Sequence, residues 1–168
     1  MKIIIVNDYH SQFSPGGAEV ITDVLANSLS KLGNSICLVT SGSTDFQRRI
    51  NDYQHFQISS KYRKRSHMYE NEIANKLILL IRQIEPNIVH FHNIHQAFGF
   101  KILKSIYNLN VGTIFTAHDA MSVYGGKLRN FCEFKAEPGC EENYKIPLTN
   151  KVKRFFLSSE YRRCRKSY

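Results

Sequence analysis

No stretch of this sequence approaches eighteen uncharged apolar residues, so no segment is suited to cross a membrane as a helix. It has no C-x-x-C pair either. Of its four cysteines, Cys37 lies in an apolar run, Cys164 in a basic one, and Cys132 and Cys140 share a loop. Reduced thiols in a reducing compartment account for that pattern. A metal clip on Cys132 and Cys140 is the alternative, and spacing names no further ligands for it. Internal repeats and low-complexity linkers are also lacking. The apolar run at residues 3–6 turns polar at Asn7-Asp8, which is too short for a signal peptide and well suited to a buried strand. A cytoplasmic protein is therefore expected.

Acidic residues are scarce, 14 against 23 Lys and Arg, giving a formal net charge of +9. Much of the excess falls in residues 151–168, where Lys151, Lys153, Arg154, Arg162, Arg163, Arg165 and Lys166 face Glu160 alone. Lys61, Arg63, Lys64 and Arg65 form a smaller cluster. Such patches suit anionic partners, whether an anionic membrane surface, nucleic acid or a phosphorylated substrate; a merely solvated surface is the bland reading. No nucleic-acid motif is recognisable, and the Tyr and Phe residues are not grouped as a stacking platform.

What is present is a chain of 168 residues, 42% hydrophobic, enough for one substantial α/β domain. Residues 2–7 read as a buried strand, and Ser14-Pro15-Gly16-Gly17 breaks the chain after it. Ala18, Ile21, Val24, Leu25, Ser28, Leu29 and Leu32 then fall at helical spacing, with Gly33 placed to end the helix. Residues 35–40 read as a strand, and 41–68 as polar and irregular with a short strand near 55–58. Ile73, Leu77, Ile81 and Ile84 form a helical stripe that Pro86 stops. A strand at 87–92, a helix at 96–107 and a strand at 111–117 follow. Residues 119–149 read as a long excursion or hairpin, and 150–165 as a basic amphipathic helix. Strand alternating with helix predicts a doubly wound, mostly parallel sheet in a Rossmann-like α/β/α sandwich.

In such sheets ligands bind beyond the carboxyl ends of strands, where strand order reverses. Polar clusters stand at three predicted strand ends: Asn7-Asp8 with Gly16-Gly17, then His90, His92, Asn93 and His95, then His118-Asp119. Right-handed crossovers make those strands neighbours, so the three loops should converge on one crevice. Gly16 and Gly17 let a backbone approach a bulky anion at a helix N-terminus, as a diphosphate requires. The pattern is not G-x-G-x-x-G, because Val20 and Ile21 occupy the third-glycine region, which disfavours a nicotinamide or flavin. His90 and His92 share one strand face, and a metal-dependent hydrolase built on His90, His92, His95, His118 and Asp119 must be weighed. Asn93 and Ile94 stand where a His-x-His-x-Asp-His site would have its acid. His118 is poised for hydrogen bonding or proton traffic near neutral pH.

In order, Ser14-Pro15-Gly16-Gly17-Ala18-Glu19, Pro86-Asn87-Ile88-Val89-His90-Phe91-His92-Asn93 and Thr116-Ala117-His118-Asp119 resemble the N-terminal domain of retaining GT-B glycosyltransferases of family 4, also called group 1. The resemblance covers essentially the whole chain, most loosely at 41–68 and 120–168. It implies that residues 1–168 form one Rossmann-like, acceptor-side domain, with a nucleotide-binding C-terminal domain outside this chain. It implies a nucleotide-sugar substrate and a glycan or lipid-linked acceptor, as in bacterial surface polysaccharide synthesis at the inner face of a membrane. No metal or other cofactor is implied. By position Gly16 and Gly17 would face the donor diphosphate and His118 the donor sugar. Asp119, Asp8, His90, His92, Asn93 and His95 would lie along the sugar and acceptor side. Glu133 and Glu141 have the Glu-x7-Glu spacing of the absent domain, but they flank Pro138-Gly139-Cys140 in the wrong half, and the match reads as coincidence. A metal hydrolase and a non-catalytic basic nucleic-acid-binding domain remain as rivals.

Overall fold

The computed structural model describes residues 1–62 and 67–118, and the following concerns those residues. Asp119, the excursion at 119–149, the basic helix at 150–165, and Cys132, Cys140 and Cys164 lie outside them, as do Arg63, Lys64 and Arg65.

Six strands form one sheet: β1 (Lys2–Val6), β2 (Ser35–Ser41), β3 (Phe46–Ile50), β4 (Tyr53–Ile58), β5 (Ile88–Phe91) and β6 (Gly112–Phe115). Their order is β3-β4-β2-β1-β5-β6. All pairs are parallel except β3 with β4. The expected mostly parallel, Rossmann-like sheet is therefore the observed one. The sequence moves outward from β1 through β2 and then returns to the other side of β1 at β5. The reversal of strand order falls between β1 and β5.

Helices cover both faces. The α1 helix (Gly17–Lys31) packs over Ile3, Ile5, Ile36, Leu38 and Tyr53 through Ala26, Leu25 and Leu29. On the opposite face α2 (His67–Ile84) and α3 (Lys101–Tyr107) bury Ile73, Leu77, Ile81, Ile102 and Ile106 against Ile4, Val6, Val39, Val89 and Phe91. Alternate residues of β1 thus point into two cores, as the two-residue strand period requires.

Local chemistry sets the ends. Gly33, at φ 82°, closes α1: its N–H donates to the Ser30 carbonyl and that of Asn34 to the Leu29 carbonyl, a left-handed C-terminal cap. Glu85, at φ 51°, ends α2 just before Pro86, which disfavours a helical residue ahead of it.

Three expectations need correction. The region 41–68, read as irregular apart from a short strand near 55–58, contains that strand within β4 and, beyond it, a whole β3–β4 hairpin turned by Asn51-Asp52 with Asn51 at φ 48°. Asn tolerates that left-handed backbone. The helix expected over 96–107 begins only at Lys101, because Gly99 takes φ 72° and the turn before it is held by another loop. The α1 helix is also rotated from its expected face. Ile21, Val24 and Leu32 are 52%, 58% and 77% exposed, while Glu19, Thr22 and Ala26 are buried. A small residue at 26 allows close approach to the sheet, and Asp23 is drawn inward by hydrogen bonds to Tyr53 and Ser11 described below.

Candidate functional site at the strand ends

The loops after β1 and β5 are sewn together by backbone and carboxamide bonds. The Asp8 N–H donates to the Asn93 carbonyl at 2.7 Å, and the Asn93 N–H donates to Asn7 Oδ1 at 3.1 Å. The Ser41 N–H, at the end of β2, donates to the Asp8 carbonyl. Asp8 is fully buried. Its Oδ2 accepts the Gln96 N–H at 2.6 Å, and its Oδ1 accepts those of Ala97 and Phe98 at 2.8 and 3.1 Å. Burial nonetheless outweighs these three bonds and raises its pKa to about 6, with Glu19 nearby adding to the rise. In this structure the Asp8 carboxylate is spent on holding the 95–98 turn.

Four of the sequence-singled residues converge next to it. His90, on β5, and His92, just beyond, project from one side with ring centroids 4.1 Å apart. His90 Nε2 meets Thr116 Oγ1 at 2.8 Å, joining β5 to the segment after β6. His92 Nδ1 lies 2.7 Å from His118 Nε2. The centroids of these two rings are 5.0 Å apart with planes 27° from parallel, so the rings meet edge to edge across that short contact. His92 is 2% exposed, and burial, then His90 and His118, drive its pKa down to about 3. It is a neutral imidazole whose Nε2 has no partner among the described residues. Burial lowers His90 too, with His118 adding to it. His95 stands in the 95–98 turn, its Nε2 3.4 Å from Gln96 Nε2. Among the described residues no group of three His, Cys, Asp or Glu is arranged to hold a metal ion. Two ring-nitrogen contacts, His92 Nδ1 with His118 Nε2 and His90 Nε2 with Thr116 Oγ1, tie this cluster together.

Gly16 caps α1 in extended backbone, at φ −145°, and Gly17 opens the helix; neither takes the left-handed conformation. Close approach, not backbone freedom, is what these glycines provide. A Cβ on Gly16 would run into the Glu19 carboxylate, which folds back over the cap. A Cβ on Gly17 would meet nothing within 4 Å. The clear approach to the α1 N-terminus is therefore over Gly17.

A second polar cluster lies on the α1 side of the sheet. Tyr53 Oη donates to Asp23 Oδ1, Ser11 Oγ donates to Asp23 Oδ2 at 2.6 Å, and His10 Nε2 meets Tyr53 Oη at 3.2 Å. His55 sits against His10, centroids 4.3 Å apart, and its Nε2 meets Thr40 Oγ1 at 2.8 Å. Burial, reinforced by His10 and Arg48, drives the His55 pKa down to about 3. Burial also lowers His10, against the pull of Asp23. Sequence reasoning missed this group, whose members come from four separate segments. The one available signal was Tyr53 and His55 alternating behind the Asn51-Asp52 turn.

A doubly wound sheet whose polar loops gather at the reversal of strand order defines a Rossmann-like ligand-binding domain. Its sequence matches the family model described as Glycosyltransferase Family 4 over residues 15–166, and the chain belongs to that family. No curated protein matches the chain. It is thus a glycosyltransferase-type domain with a sugar donor and an acceptor as its partners.

Proposed function

We propose that this domain forms the acceptor-side half of a retaining GT-B enzyme that moves a hexose from a nucleotide sugar to a glycan or lipid-linked acceptor. The bacterial setting is surface polysaccharide synthesis on the cytoplasmic side of a membrane, and the basic residues of 151–168 suit docking on an anionic leaflet. No described helix is long and apolar enough to cross a membrane. The observation that carries the reading is the convergence of His90, His92 and His118 at the strand-order reversal in a chain of this family.

In this reading the Gly17 backbone at the α1 N-terminus faces the donor diphosphate, and His118 hydrogen-bonds the donor sugar beside its anomeric carbon. The C1–O bond to the diphosphate breaks as the acceptor oxygen bonds to C1 on the same face. The acceptor's hydroxyl proton passes to the departing diphosphate. Fixed N–H groups and basic side chains offset the charge that grows on the leaving group. No metal or other cofactor is required. Asp119, Asn93 and His95 line the sugar and acceptor side. Most nucleotide affinity belongs to a second domain outside these residues.

Two measurements test the proposal. Calorimetry of the 168-residue chain with several nucleotide sugars should give at most millimolar affinity, about −4 kcal/mol. Micromolar binding would overturn the division of labour. In the full-length protein, His118→Ala should lower turnover about a hundredfold, a transition-state loss of about 3 kcal/mol. EDTA should not change the rate. Full activity in His118→Ala would remove His118 from the mechanism, and EDTA-sensitive transfer would revive the metal-dependent alternative.

A further inference from the structure

The short contact between His92 and His118 carries a consequence for which nitrogen each ring protonates. A neutral imidazole has one N–H and one bare nitrogen, and the hydrogen bond at one nitrogen decides the other. His92 is 2% exposed and has two ring nitrogens in very different surroundings. Nδ1 is 2.7 Å from His118 Nε2, and Nε2 is buried with no partner among the described residues. Placing the single proton on Nε2 would leave a buried N–H donor unsatisfied, at a cost that folded proteins rarely bear. Placing it on Nδ1 satisfies it against His118. The edge-to-edge geometry of the two rings directs that N–H at the His118 Nε2 lone pair.

We propose that His92 is a positioning residue: it donates Nδ1–H to His118 Nε2 and so favours the His118 tautomer protonated at Nδ1. The proposal rests on the reading that His118 faces the donor sugar. Under it, His118 is a hydrogen-bond donor to a sugar oxygen, and its Nε2 is already occupied, so it is not the base that takes the acceptor's proton. His90 completes the assembly from the other side. Its ring lies 4.1 Å from that of His92, and its Nε2 is bonded to Thr116 Oγ1. The His92 ring is thereby held between its two neighbours in the orientation its proton requires.

Nitrogen-detected NMR of the 168-residue chain with labelled histidine reads the tautomer directly. Wild-type His118 should show a protonated Nδ1 and a bare Nε2. His92→Asn keeps an N–H near the Nδ1 position and should preserve that state. His92→Phe keeps an aromatic ring but supplies no hydrogen bond, and should release His118 to the Nε2–H form. An Nε2–H form in the wild type, or no change in His92→Phe with the fold intact by circular dichroism, would overturn the proposal.

In the full-length enzyme His92→Phe should cut kcat about tenfold with little change in donor KM, and His92→Asn should recover most of that loss. Unchanged kcat in His92→Phe alongside a switched tautomer would refute the positioning role. If His118→Ala itself transfers sugar normally, it is the donor-sugar reading that fails, and the tautomer spectra then stand or fall on their own.

Discussion

Asp8 shows how a single side chain couples two loops. Its carboxylate accepts the amide protons of Gln96, Ala97 and Phe98, and nothing else in the described structure takes them. Replacing it with alanine relieves a buried charge but leaves three amides unpaired, each costing about 1–3 kcal/mol where water is excluded. Asp8→Ala should therefore lose about 2–3 kcal/mol of stability in chemical denaturation and speed amide exchange at residues 96–98. Asp8→Asn retains one acceptor oxygen for Ala97 and Phe98 and should lose roughly half as much. Equal exchange rates in wild type and Asp8→Ala would show that the turn holds itself.

At the scale of an element, α1 separates pattern from burial. Its apolar residues are spaced to suggest a core stripe through Ile21 and Val24, yet those two face outward and Ala26 meets the sheet with no exposed surface. The Asp23 carboxylate, bonded to Tyr53 and Ser11, sets the rotation of the helix. Ile21→Lys should change stability by less than about 0.5 kcal/mol, as surface substitutions usually do. Ala26→Leu should cost about 1–3 kcal/mol, since no space separates the helix from Leu38 and Tyr53. Urea denaturation midpoints of the two variants decide it. A large loss in Ile21→Lys would place the expected stripe back in a core.

For the whole molecule, the buried histidines govern the response to acid. The folded pKa values of His55 and His92 are depressed to about 3, below the ordinary 6.5 of an unfolded histidine. Such groups give stability that is present above pH 6.5 and lost as pH falls toward 3, because only the unfolded chain takes up the protons. By pH 5 the loss is about 2 kcal/mol for each. His10 and His90, also lowered, push in the same direction. Asp8 opposes them. Its folded pKa, raised to about 6, gives stability that is complete below pH 4 and is lost as pH rises through 6. That returns roughly 1 kcal/mol at pH 5. The net expectation is a fall of about 2–3 kcal/mol between pH 7 and pH 5, read as a lowered denaturation midpoint. Asp8→Asn should steepen the acid loss and His55→Gln should flatten it. A midpoint that rises on acidification would contradict the assignment of neutral, buried imidazoles.

The alternation of strand and helix, the parallel sheet and the three strand ends that carry polar residues were legible in the residues alone. Those features are local: apolar runs make strands, Gly33 and Pro86 punctuate helices, and loops between parallel strands must emerge at the same edge. The spacing of His90 and His92 also put them on one strand face, since a strand has a period of two. The rest depended on how the elements pack. The α1 rotation follows from Asp23 meeting a tyrosine thirty residues away, and the late start of α3 follows from Asp8 capturing amides some ninety residues on. The short strand read at 55–58 is the end of β4, but β3 showed no core pattern, because it is the edge strand and its side chains are only partly buried or exposed. The bond between His92 and His118 joins residues 26 apart across two neighbouring strands. No spacing rule encodes such contacts, because they depend on how the strands are registered and on which side chains burial leaves without water.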